Sequence, residues 1–435
     1  MIHRRLALAL AIVLPAAASM SPRPVAQQPP RPQAATAIPA ARAPYFPERF
    51  DWQHRRPDEV GLNTALVDEA MKIAVAAETQ APRDLALAGT ASYGREPFDT
   101  PVGPITPRGP ASGIVVKNGF IVAEWGAPSR VDMTFSVTKT FLTTTVGLAW
   151  QKGLIRDLND RVRDYMPGGA AGAGGSGRAG GAGGDEGDVA AQLFEAEHNR
   201  TITWDHLLRQ TSDWQGTLWG KPDWADRPEG QRPADWPNRP LREPGTHFKY
   251  NDVRVNVLAL AALQVLRKPL PEVLREDLMD PIGASNTWRW HGYENSWVDL
   301  DGRRMQSVAG GGHWGGGLFI NTYDMARFGY LFLRNGKWKD RAVVSEKWIA
   351  MARTPGAANA NYGFANWYLN TNRGPLPAAP ASAVYFVGNG NNFIYIDWEN
   401  DLVAVTRWVD TTRSLNAIVE KLIAAGRPAT PTASR

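Results

Sequence analysis

A serine followed three residues later by a lysine can make a nucleophile, and Ser136 is the one serine of this chain with a lysine at that spacing, Lys139. On a helix three residues make most of a turn and a rise of about 4.5 Å, so the two side chains share a face within hydrogen-bonding reach. A serine hydroxyl is a weak nucleophile at neutral pH until a base takes its proton, and an amine serves as that base where its surroundings keep it neutral. Partial burial disfavours an ammonium, and Phe135, Phe141, Leu142, Val146, Leu148 and Ala149 make the neighbourhood apolar. A serine near a helix start is also a common cap. The apolar run after Lys139, in which an unpaired charge is costly, favours the chemical reading.

The elements that must position this pair can be read around it. Met133 to Trp150 reads as a turn running into a buried helix. Ahead of it, Gly113–Lys117 and Phe120–Trp125 flank Asn118-Gly119, a type I′ hairpin signal, so two antiparallel strands precede the serine. Earlier still, Asn63–Glu78 carries Leu66, Ala70, Ile73 and Ala77 at helical spacing. Downstream come a short helix in Ile202–Ser212, a loop holding Trp214, Trp219, Trp224 and Trp236, and Tyr250 just before an apolar helix. A helix over Leu270–Met279 and a capped helix over Asn321–Leu333 follow. The end of the chain alternates strands at 383–387, 393–398 and 402–408 with turns, then closes on a helix over Ser414–Ala425. This order predicts an α+β fold, an antiparallel sheet of N- and C-terminal strands flanked by helices. The all-helical middle forms a second lobe, with the site in the groove between.

Composition bounds the function. A basic start (Arg4, Arg5), an apolar run from Leu6 to Leu14 and Ala16-Ala17-Ala18 read as a signal peptide over 1–18, hence a periplasmic or secreted protein with no membrane span once the leader is removed. Residues 19–44 read as a disordered Pro/Ala-rich linker, 45–430 as the domain, and 168–187 as a flexible Gly/Ala insertion. Five arginines and no acid lie in residues 1–44; the remainder holds 43 basic and 43 acidic residues. A balanced charge leaves no electrostatic footprint for nucleic acid. With no cysteine there is neither disulfide nor thiolate chemistry.

Ser136-Val-Thr-Lys139, Tyr250-Asn-Asp252 and Gly388-Asn389-Gly390, in this order, resemble the serine β-lactamase and penicillin-binding-protein superfamily. The likeness is greatest to its class C branch, with family VIII carboxylesterases, D-aminopeptidases and nylon-oligomer hydrolases. The resemblance spans roughly Tyr45 to the C-terminus and implies roles: Ser136 the nucleophile, Lys139 its base, and Tyr250 the second proton-transfer group, its phenolate favoured beside Lys139. It also implies an oxyanion hole from the backbone N–H groups of Ser136 and Asn391, and substrate contacts from Asp252, Gly388, Asn389 and Gly390. Trp214 is expected in the same groove. Two positions depart from the family pattern. Tyr-x-Asn is Tyr250-x-Asp252, an acceptor in place of an amide, and the cation of Lys-Thr-Gly is replaced by Gly388.

The leading expectation is an exported serine hydrolase that cleaves a small ester or amide through an acyl-enzyme. A β-lactamase or D-Ala-type peptidase is an alternative if the fold brings Arg254 or Arg289 to the groove, and a non-catalytic sensor or scaffold is another. Oligomeric state is left open. No Gly-x-Ser-x-Gly elbow and no His-Glu-x-x-His occurs, so neither an α/β-hydrolase nor a metal or cofactor is expected. His247 and His313 read as structural. Gly310–Gly315 formally matches a dinucleotide fingerprint, but no βαβ unit frames it, and its glycines are better explained by close backbone packing.

Overall fold

Strand pairing brings together what the sequence keeps far apart. In the computed structural model, which describes residues 44–169 and 189–427, six antiparallel strands form the main sheet. Their order is Tyr368–Leu369, Val384–Gly388, Asn392–Asp397, Leu402–Arg407, Ser112–Lys117 and Phe120–Trp125. The N-terminal hairpin turns at Asn118-Gly119, both in the left-handed region (φ 53 and 89) that a type I′ turn requires. Its first strand then pairs with Leu402–Arg407.

These strands are apolar on both faces because both faces are covered. Side chains alternate along a strand, so Val115, Phe393, Tyr395, Leu402 and Ala404 meet Val67, Ala70 and Ala74 of helix Thr64–Ala76 and Leu415, Ile418 and Leu422 of helix Thr412–Ala425. Ile114, Val116, Ile394, Ile396, Val403 and Val405 point the other way, into the core of helices Thr322–Leu333 and Thr138–Gln151. Phe141 and Phe328 stack there with centroids 3.7 Å apart.

The middle of the chain holds the buried helix Asp252–Leu266 and, besides helices, a second sheet. Arg289–Leu300 and Arg303–Val308 make a hairpin that joins Gly317–Ile320 and the short strand Asp132–Met133. That last pairing places the start of the Ser136 turn at the seam of the two sheets. Between helix Thr64–Ala76 and the hairpin lies helix Leu85–Tyr93, capped by Asp84 through Ala86 N (2.9 Å). No helix among the described residues is long and apolar enough to cross a membrane. The expected leader (1–18), and the linker (19–44) and insertion (168–187) save Pro44, Gly168 and Gly169, lie outside the described residues.

Candidate active site

From Asp132 to Ala149 every residue is buried except Ser136. The turn that presents it is fixed by threonines. Thr134 N and Oγ1 both donate to Leu318 O (2.9 and 3.1 Å), and Thr138 Oγ1 accepts from Leu318 N at 2.9 Å. Phe135, immediately before the serine, has φ 49. A bulky residue in the left-handed region costs about 1–3 kcal/mol and is held only when its surroundings over-determine it. The glycine run at 310–317 supplies some of that hold, because a Cβ on Gly311 would run into Phe135 O and lie 2.6 Å from Thr138 Oγ1. Close packing is thus what these glycines allow.

Lys139 sits one turn on, its side chain fully buried, with Nζ 2.8 Å from Ser136 Oγ and 3.2 Å from Gly310 O. An ion pair of 2.7 Å joins it to Asp252 Oδ1. Tyr250 lies beside them, its ring 5.0 Å from Lys139 Nζ. Burial, and after it the Asp252 charge, push the Tyr250 phenol well above its ordinary range, with Arg227 and Ser136 pulling the other way. The resting group is therefore a neutral phenol, not the phenolate expected beside Lys139, and it is set up to donate a proton.

The next residues are pinned by Asn251, which caps helix Asp252–Leu266 by accepting from Arg254 N (3.0 Å) while its own N–H donates to Gln210 Oε1 (2.7 Å). Asp252 is 1 % exposed, so its expected contact with substrate is corrected: it faces Lys139 from within the protein. Arg227 Nη1 binds its other oxygen at 3.0 Å, and His313 Nδ1 lies 3.5 Å from that same oxygen. Burial opposes ionisation of Asp252, but Lys139, Arg227 and His313 together hold it well below the usual carboxylate range.

Of the Gly388-Asn389-Gly390 motif, Gly388 ends its strand against the serine turn. A Cβ there would run into Thr134 O and come within 3.0 Å of Ser136 N. Asn389 is exposed and accepts from Gly390 N (2.9 Å), Gly390 packs on the Trp408 ring, and the Asn391 side chain donates to Val409 O (2.9 Å). Buried Arg407 ties this strand end to the turn, donating to Asn392 Oδ1 (2.8 Å), Ile320 O (2.5 Å) and Met133 O (2.9 Å). Trp214 is a second correction. It is 2 % exposed and its indole donates to Leu193 O at 2.7 Å, so it plugs the core and does not line the groove. Arg254 is buried on Asp213 and Asp223, and Arg289 donates to Asn286 O and Trp288 O, so neither supplies the missing cation of the motif.

Four residues around the site escaped the sequence reading, Tyr93, Glu96, Asp226 and Arg227, and His313 joins them. His313, expected to be structural, is stacked on Tyr93 (4.3 Å), with Nε2 3.3 Å from Glu96. Arg227 lies over the rings of Tyr250 and Tyr93 and 2.5 Å from Asp226. Glu96, Asp226 and His313 each bring a donor atom within 4.8 Å of the others, as a metal site would. Both Asp226 oxygens are already engaged, one by Arg227 and one by the Asp252 N–H, and a guanidinium in the same cluster opposes a second cation. The cluster is an ion-pair network. No spacing signal could have found it, since its members come from three separate stretches.

Comparison with known families agrees with this architecture. The beta-lactamase family profile matches residues 111–411, and the chain belongs to that family. Among solved structures it is similar in fold to a family VIII carboxylesterase (16 % identity, TM-score 0.52, covering 84 % of this chain and 99 % of that one). It is likewise similar to EstCE1, a hydrolase with promiscuous acyltransferase activity (14 % identity, TM-score 0.52, 82 % and 98 % covered). No curated protein sequence matches it.

Proposed function

We propose that this protein is an exported serine hydrolase that cleaves a small ester or amide through an acyl-enzyme on Ser136. The observation that carries the reading is the 2.8 Å contact between Lys139 Nζ and Ser136 Oγ, at the one accessible residue of an otherwise buried segment. A neutral amine has two N–H groups and one lone pair. Gly310 O accepts from one N–H and Asp252 Oδ1 lies 2.7 Å away as an ion-pair partner, which leaves a lone pair able to take the serine proton. Ser136 then attacks the acyl carbon, Lys139 takes its proton, and the Tyr250 phenol delivers a proton to the leaving group. A water repeats the sequence to release the acid. The developing oxyanion meets the Ser136 N–H and a strand-end N–H, for which Asn391 is the expected residue. Export rests on the basic start and apolar run of residues 4–14.

Uncharged acyl donors fit the site better than β-lactams. Gly388 stands where the family places a cation for the β-lactam carboxylate, and the nearby Arg227 is already paired with Asp226 and Asp252. A charge-assisted hydrogen bond is worth about 1.5–3 kcal/mol, so its loss lowers β-lactam turnover roughly ten- to a hundredfold. The expected result is a kcat/KM for p-nitrophenyl butyrate well above that for nitrocefin. Nitrocefin preferred by about tenfold would replace this reading with a β-lactamase.

A further inference from the structure

The family's amide at position 252 is here a carboxylate, and that exchange creates a problem the rest of the site must solve. A carboxylate 2.7 Å from Lys139 Nζ favours the ammonium, and an ammonium cannot take the proton of Ser136. Asp252 does not act on Lys139 alone, however. Its second oxygen is held by Arg227 Nη1 at 3.0 Å and faces His313 Nδ1 at 3.5 Å. His313 is in turn fixed from behind by Glu96 at 3.3 Å and by the stacked ring of Tyr93.

We propose that His313 is a positioning residue for the Ser136 reaction: bridging Glu96 and Asp252, it draws the Asp252 carboxylate's charge away from Lys139 and so lets Lys139 act as the base. This deepens the hydrolase reading and rests on it. Three groups in the cluster carry positive charge, Lys139, Arg227 and His313, and three carry negative charge, Asp252, Asp226 and Glu96. With His313 an imidazolium, the five groups other than Lys139 sum to one negative charge. Without it they sum to two, and Lys139 is held more firmly as the ammonium that compensates them. Burial works against the imidazolium, yet Asp252 and Glu96 outweigh it and raise His313 to about 9, so the charge is present at neutral pH. Burial and the Asp252 charge raise Asp226 to about 6, so it is largely ionised there too. The phenols facing the cluster, Tyr93, Tyr250 and Tyr293, are all pushed up by burial and stay neutral. Lys249, whose ammonium burial disfavours, acts on Asp226 from farther along the chain.

Two neighbouring substitutions should therefore shift the acid limb of the kcat/KM profile in opposite directions. His313→Gln removes a positive charge and moves the limb to higher pH by about one unit, roughly a tenfold loss of rate below it. Glu96→Gln removes a negative charge and moves the limb to lower pH. Asp252→Asn, the family's own residue, also moves it down, and combining it with His313→Gln brings it back toward wild type. Rates are normalised to active sites by the p-nitrophenol burst, so partial misfolding does not enter, and Glu96→Gln, at a partly exposed residue, stands in if His313→Gln does not fold. A purely structural His313 would lower the number of active sites and leave the limb fixed. An unmoved limb, or shifts of one sign in both variants, overturns the proposal. If Ser136→Ala keeps wild-type turnover, the hydrolase reading itself has failed, a result separate from any shift of the limb.

Discussion

Two buried charge networks meet the first turn of the same helix, Asp252–Leu266, and they are built differently. At Arg254 the network is closed. Its guanidinium binds Asp213 (2.8 Å) and Asp223 (3.1 Å), and Arg239 binds the same two carboxylates at 2.8 and 2.7 Å. Burial works against ionised Asp213, but Arg254 and Arg239 hold it below its usual range, so Asp213 keeps its charge across the working pH range. At Asp252 the network is open. Glu96 Oε2, Asp252 Oδ1 and both ring nitrogens of His313 are buried without an aligned hydrogen bond, and two members titrate at about 6 and about 9. A closed network specifies where the helix starts. An open one leaves protons free to move, which is what a nucleophile and its base require.

The largest effect should come from breaking the closed network. Arg254→Met leaves Asp213 and Asp223 with one guanidinium, that of Arg239, between them, and an uncompensated buried charge costs about 3–5 kcal/mol. Urea unfolding should show that loss, while the pH profile of the remaining folded enzyme stays where it is. A shifted profile would mean that the two networks act as one.

A smaller effect sharpens the contrast through pH. His313 titrates at about 9 in the folded chain against 6.5 for a free histidine, so the folded state holds its proton more tightly. Its contribution to stability is full below pH 6.5 and is lost as pH rises through 9. The gap in Tm between wild type and His313→Gln should therefore narrow between pH 6.5 and 10. A gap that widens would show that His313 is held neutral.

Much of the frame behind these networks was legible in the sequence. Asn118-Gly119, Asn63 and Asn321 mark their turn and caps because local backbone needs dictate those residues, and the near-continuous apolar strands follow from a sheet covered on both faces. Asp301-Gly302 carries the same turn signal (φ 52 and 74), but charged residues in its flanking strands obscure the hairpin. Ser136 and Lys139 were legible because one turn of helix sets their relation. Their partners were not, since tertiary packing alone brings Glu96, Asp226, Arg227 and His313 to Asp252. Trp214 shows the converse error: a tryptophan on a loop reads alike whether it lines a groove or plugs the core, and burial decides.

Intact-mass spectrometry after treatment with a fluorophosphonate shows whether Ser136 is the residue acylated. Ser136→Ala removes a single oxygen at a turn whose hydrogen bonds are made by Thr134 and Thr138, so the variant should fold as wild type. Wild type should carry one adduct, mapped to the peptide holding Ser136, and the variant should carry none and show no ester turnover. An adduct on another serine, or a variant with near wild-type turnover, would contradict acylation at Ser136.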